Sequence, residues 1–170
     1  FIFNVDGSVD VESIQLSDEA KSKLSDSILM FYTGTSRKSS FPLNDVIENL
    51  NNNKNNIKTI REISLLCTDF MNALSNSDIN IMGEILDKSW SLKKSLSKIV
   101  SSSYIDDLYK KACNSGAIGG KILGAGNGGF LMFLVPEDKK DAVRNSLKEL
   151  REVNIKLDST GTQQVLNDND

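Results

Sequence analysis

The sequence contains no histidine, which removes the commonest general base and metal-binding imidazole. Ser-His-Asp, Cys-His and histidine-metal mechanisms are thereby excluded within this chain. Cysteine is scarce as well. Cys67 and Cys113 stand alone in helix-like surroundings, with no C-x-x-C spacing and no signal-peptide pattern. A disulfide framework or zinc site therefore has no support, and a reducing, cytoplasmic setting is expected. Long apolar runs are also missing. The longest, Gly129 to Pro136, is strand-sized, well short of the roughly 20 residues that cross a bilayer, so no membrane partner is expected. Nor is there a cationic surplus: 20 Lys and Arg against 23 Asp and Glu leave a formal charge of -3. Nucleic acid is excluded as a general partner, because phosphate-backbone affinity needs clustered positive charge.

What is present suits one domain. A chain of 170 residues, 39% of them hydrophobic, can bury one apolar core but not two comfortable ones, so residues 1–170 are read as a single domain. The chain opens at Phe1, directly in strand-like sequence, and reads as a piece of something longer. Phe1 to Val5 and Val9 to Leu16 are expected to form a hairpin across Asp6-Gly7. Ser17 is placed to cap a short helix over Asp18 to Leu24, and Ile28 to Tyr32 is a compact, buried strand.

Beyond the polar loop at 35–40, the Asn-rich stretch Asn49 to Asn56 reads as a loop or a frayed helix end. Ile60, Ile63, Leu66, Phe70 and Leu74 then recur at helical spacing. Asp78 caps a second helix carrying Ile81, Ile85, Leu86 and Trp90, and the two should pack antiparallel. A third helix, Tyr104 to Asn114, stops at Ser115-Gly116. Lys121-Ile122-Leu123 leads into a glycine loop and the apolar strand Phe130 to Val135, stopped by Pro136. An amphipathic helix over Glu137 to Leu150 follows, and short strands at Val153 to Leu157 and Gln163 to Val165 close the chain. This order predicts an α+β fold, an antiparallel sheet with helices packed on one face.

Five of the six residues from Gly124 to Gly129 are glycine or alanine, and the sixth, Asn127, tolerates positive φ better than most residues. Backbone N–H groups in such a turn can be approached closely by an anion. The loop lacks the terminal Gly-Lys-Ser/Thr of a Walker A sequence, and in isolation a tight structural turn between two strands is its commoner explanation.

Its context is more specific. The run Ser115-Gly116-Ala117-Ile118-Gly119-Gly120-Lys121-Ile122-Leu123-Gly124-Ala125-Gly126-Asn127-Gly128-Gly129-Phe130 resembles the third motif of the GHMP kinases. Within that family the nearest resemblance is to the D-glycero-D-manno-heptose 7-phosphate kinases, through Phe31-Tyr32-Thr33-Gly34-Thr35-Ser36-Arg37 and Ser89-Trp90-Ser91-Leu92-Lys93-Lys94-Ser95-Leu96. The resemblance runs from the opening hairpin to the last strand. Asn127 departs mildly from the glycine or alanine common at that place.

The resemblance implies the ferredoxin-like C-terminal domain of an ATP-dependent sugar or sugar-phosphate kinase. The family's other two motifs and its catalytic aspartate are not found here, so the N-terminal half of the same kinase would carry the nucleotide loop, the base and the Mg2+ ligands. No catalytic or metal-binding residue is assigned to this chain, and alone it is expected to be inactive. Gly124, Ala125, Gly126, Asn127, Gly128 and Gly129, with Lys121, would lie beside the phosphates of ATP.

Phosphoryl transfer needs positioned cations. Lys121, beside the loop, is the best placed, although a solvated strand-end lysine looks the same in sequence. Arg37 follows a buried strand and offers a planar fork to a substrate phosphate; its plainer reading is a surface arginine paired with Asp45 or Glu48. Trp90 with Lys94 at i+4 and Lys93 at i+3 could wall a sugar-phosphate site, whereas a lone Trp at helical spacing is more often core.

A second reading stays open beside the kinase: a stand-alone α+β binding or regulatory module in which the glycine loop is only a turn. Other GHMP branches, of the galactokinase or mevalonate kinase type, also stay open. Surface normally covered by the other half could let the isolated piece form a homodimer.

Overall fold

The computed structural model describes residues 1–35 and 40–158. Six strands and six helices follow in the order β1 (Ile2–Phe3), β2 (Val9–Asp10), α1 (Asp18–Ser27), β3 (Ile28–Tyr32), α2 (Ser40–Asn52), α3 (Lys54–Ser75), α4 (Ile79–Leu96), α5 (Ser103–Asn114), β4 (Gly119–Ile122), β5 (Phe130–Leu134), α6 (Lys140–Ser146) and β6 (Arg151–Glu152).

Strands β3 to β6 form one sheet in the order β4-β5-β3-β6, and every neighbouring pair is antiparallel. β3 and β4 therefore run the same way with β5 between them, the split arrangement of a ferredoxin-like sheet. The strand alternation sorts side chains to two faces. Leu29 and Phe31 of β3, Ile122 of β4 and Leu131 and Phe133 of β5 join Trp90, Ile105, Leu108, Ala112, Val143 and Leu147 in the main core. Met30, Tyr32, Lys121, Phe130 and Met132 alternate to the other face and stay at least partly exposed. There Tyr32 and Phe130 stack at 5.3 Å between ring centroids. The α+β class, an antiparallel sheet with packed helices, is thus as expected.

Helix caps fall where short polar residues allow them. Ser17, Asp78 and Ser102 each accept a backbone N–H three residues on, which satisfies donors that the first turn leaves orphaned. Gly116 takes φ +113° after α5, the left-handed turn that ends a helix cheaply only at glycine.

Edge strand β4 is covered by helices. Gly83 of α4 lies so near the start of β4 that a Cβ there would sit 2.5 Å from Ile118 Cγ2. The Tyr109 hydroxyl accepts the Gly120 N–H at 3.1 Å and donates to Asp87 Oδ1 at 2.7 Å. An outward-facing amide of an edge strand is thereby satisfied from α5 and α4.

Four expectations are corrected. The opening hairpin pairs only Ile2 with Asp10 and Phe3 with Val9; its apolar side chains find no core to pack on, so pairing does not extend to Leu16. The Asn-rich stretch is mostly helical, because the side chain of Asn53 accepts the Asn55 N–H and restarts the helix after a one-residue break. The helix expected over 137–150 is a 3-10 turn at Glu137–Lys139 and the short α6. It ends at Leu147, whose N–H is shared between the carbonyls of Val143 and Arg144, so that the chain can return along β3. Last, the closing strand is Arg151–Glu152 rather than 153–157, with Val153 N–H adding one bond to Met30 O at 2.8 Å. The strand expected at Gln163 to Val165 lies outside the described residues.

Candidate functional site: a pinned glycine loop with two flanking lysines

The loop between β4 and β5 has positive φ at Gly124 (+81°), Gly126 (+114°), Asn127 (+57°), Gly128 (+151°) and Gly129 (+92°). So many left-handed residues in one turn are tolerable only where Cβ atoms are missing, with Asn as the one accepted exception. At Gly126 space is decisive too: a Cβ would lie 2.5 Å from the Val100 carbonyl oxygen.

The second half of the loop is held by two of its amides. Asn127 N–H donates to Val100 O at 2.7 Å and Gly129 N–H to Thr35 O at 2.8 Å. Gly129 O in turn accepts from Thr33 N–H at 2.9 Å and from Thr33 Oγ1 at 3.0 Å. Tyr104 OH donates to Thr33 O at 3.3 Å, so α5 braces the same corner. The N–H groups of Ala125, Gly126 and Gly128 make no hydrogen bond among the described residues. A loop pinned by two of its amides and offering others is suited to an oxyanion.

Lys93 and Lys121 line one cavity beside the loop's first residue. Lys93, in the last turn of α4, donates to Gly124 O at 2.7 Å. Together with Ser89, Gly124, Ala125 and apolar side chains of α2, α3 and α4, the two lysines line a cavity of about 320 Å³. Burial first, and the Lys121 charge second, hold the Lys93 ammonium below the usual lysine range. Neither lysine has a carboxylate partner among the described residues.

The other candidates separate from this pair. Lys94 points its ammonium to Asp106 Oδ1 at 2.9 Å and sits 5.7 Å from the Trp90 ring centre. Its charge is matched by the acidic first turn of α5. Trp90 is 1% exposed and packs against Tyr109 at 6.5 Å, so the ring is core and does not wall a site; the sugar-wall expectation is corrected on that ground. Arg37 lies outside the described residues. Among the described residues no group of three or more Cys, Asp or Glu is arranged to hold a metal ion, and no helix is long and apolar enough to cross a membrane.

Sequence reasoning missed Thr33, Val100 and Tyr104, which hold the loop. Thr33 had a local signal, a small polar residue directly after a buried strand. Val100 and Tyr104 had none, because their role depends on a contact made by a distant segment.

Residues 70–152 match the family described as GHMP kinases C terminal. The chain is 31% identical over 144 residues to D-glycero-alpha-D-manno-heptose 7-phosphate kinase of Campylobacter jejuni, a match that takes in 83% of this chain and 40% of that protein. It therefore spans about two fifths of the length of that curated relative. Among solved structures, the D-glycero-D-manno-heptose 1-phosphate kinase from Bacteriodes thetaiotaomicron aligns at a TM-score of 0.60 and 21% identity, over 89% of this chain and 39% of that one. The Methanococcus jannaschii mevalonate kinase aligns at 0.66 and 24%, over 82% and 42%; at these identities both show the fold alone. Residues 70–152, which hold the glycine loop and three of the four strands of the split antiparallel sheet, are thus a GHMP kinase C-terminal region.

Proposed function

We propose that the chain works as the C-terminal half of a kinase that transfers the γ-phosphoryl group of ATP to a sugar phosphate, with D-glycero-D-manno-heptose 7-phosphate as the acceptor. The observation that carries this reading is the loop from Gly124 to Gly129, pinned through Asn127 and Gly129 while other amides remain open. The 31% identity to a heptose 7-phosphate kinase supports the acceptor.

In this reading the chain does not carry the proton-transfer chemistry. Its part is to present loop amides beside the nucleotide phosphates and to close one side of the acceptor cleft, which stabilises and orients charge without a covalent step. Mg2+ would travel with ATP and supply charge neutralisation on the phosphate oxygens. Its protein ligands would belong to an N-terminal half, the proposed partner. Phe1, Phe3, Val5 and Val11 expose their side chains on the opening hairpin, an apolar surface suited to that partner. The setting proposed is cytoplasmic.

The test is phosphoryl transfer from ATP to D-glycero-D-manno-heptose 7-phosphate by the full-length protein and by this 170-residue chain, under the same conditions. Transfer by the full-length protein alone is expected. Transfer to galactose or mevalonate in place of the heptose phosphate would move the chain to another GHMP branch. Turnover by the chain alone would overturn the half-site reading, and ligand binding without turnover in either would favour a non-catalytic module.

A further inference from the structure

Resting on the kinase reading, and moving Lys121 from the ATP side expected from sequence to the acceptor side, we infer that Lys93 and Lys121 together form the subsite for the phosphate group that the acceptor already carries, and so select a phosphorylated sugar over a free one.

Three observations lead there. First, the two lysines come from different elements, the last turn of α4 and β4, yet line one cavity of about 320 Å³ at the start of the glycine loop. That volume is at the lower end of the range for small-molecule sites. Second, neither cation is balanced by a carboxylate among the described residues, while the adjacent Lys94 is balanced by Asp106. Two like charges held together without a counter-ion are unfavourable until an anion arrives. The depressed basicity of Lys93, caused by burial and by Lys121, reports that deficit. Third, apart from Ser89 and the loop at Gly124 and Ala125, the remaining walls are apolar, from Val46, Ile60, Ile63 and Leu96. A phosphate monoester carries about −1.5 to −2 near neutral pH, which two ammonium groups match. The larger charge of a nucleotide triphosphate would be left under-compensated against apolar walls. The cavity thus fits one phosphate on a compact carbon skeleton.

The test measures binding, so that it can fail separately from turnover. The full-length protein is titrated with inorganic phosphate, with D-glycero-D-manno-heptose 7-phosphate and with the unphosphorylated heptose, following lysine side-chain NMR signals and calorimetric affinity. Inorganic phosphate is expected to shift the Lys93 and Lys121 signals. Lys93→Met and Lys121→Met are each expected to weaken its binding about tenfold or more. Each should also remove the preference for the phosphorylated heptose while changing ATP affinity less than twofold. Phosphate binding that survives both substitutions, or no phosphate binding in the wild-type protein, overturns the subsite. A loss of ATP affinity equal to the loss for phosphate overturns its assignment to the acceptor and gives the pair to the nucleotide. Loss of phosphate binding in the variants of a protein that phosphorylates no sugar would uphold the subsite and defeat the kinase reading. Lys93→Arg keeps the charge and checks for misfolding: it should retain phosphate binding within a few-fold.

Discussion

The ammonium of Lys93 donates to the carbonyl of Gly124 at 2.7 Å, tying the last turn of α4 to the first residue of the glycine loop. The bond places a half-buried positive charge where the chain has just turned into a left-handed conformation. In the proposed subsite the same side chain would link stability to ligand binding.

The first prediction concerns pH. In the folded chain the pKa of Lys93 lies below its ordinary 10.5, because burial and then Lys121 disfavour the charged form. Between the folded value and 10.5 the unfolded state binds more protons, so stability rises with pH through that window and the contribution is lost as pH falls through the folded value. Lys93→Met should flatten this part of the profile. Urea midpoints of both proteins between about pH 8 and 10.5 check it; parallel profiles would show that Lys93 is solvated normally.

Glycines in the loop should differ in their tolerance of a side chain. Gly126→Ala meets both positive φ and the Val100 carbonyl, whereas at Gly124 a Cβ meets nothing within 4 Å. Gly124→Ala is expected to cost about 1–2 kcal/mol, the left-handed backbone penalty alone, and Gly126→Ala clearly more. Equal costs in chemical denaturation would mean that the Val100 contact relaxes freely.

Tyr109→Phe removes the hydroxyl that accepts from Gly120 N–H and donates to Asp87. Leaving a buried amide unsatisfied is expected to cost about 1–3 kcal/mol. Faster hydrogen exchange at Gly120 is the specific readout, since general destabilisation would not single out one edge-strand amide.

Trp90 should behave as a core residue. Its replacement by Ala is expected to cost about 3–5 kcal/mol through cavity formation. By contrast, Asp106→Asn breaks a half-exposed ion pair with Lys94 and should cost no more than about 1 kcal/mol. Thermal unfolding of both variants checks the order, and a small effect at Trp90 would return the ring to the surface.

Much of the fold was legible because its signals are local. Ser17 and Asp78 cap helices through bonds to residues three places on, and Gly116 ends α5 through its own φ. The strand Ile28 to Tyr32 was read with its observed bounds for a similar reason: an apolar run of that length flanked by polar residues has few alternatives. Apart from the Asn-rich stretch, where the local cap at Asn53 went unread, the misread elements are those whose extent depends on a distant partner. The hairpin stops early for lack of a packing surface, and the last helix stops at Leu147 because the chain must reach β3.

The site divides in the same way. Periodicity and glycine content, acting through backbone sterics, were enough to mark the loop and to name Lys121, Lys93 and Lys94. Neighbours in sequence on one helix turn, Lys93 and Lys94 could not be told apart there, because each differs only in what it meets. The tertiary structure alone decided that Lys94 meets Asp106 of α5 while Lys93 meets Gly124 and the unbalanced charge of Lys121. The sequence by itself determined where the backbone can turn and which residues are charged; through-space packing determined which of these charges meet a carboxylate and which do not.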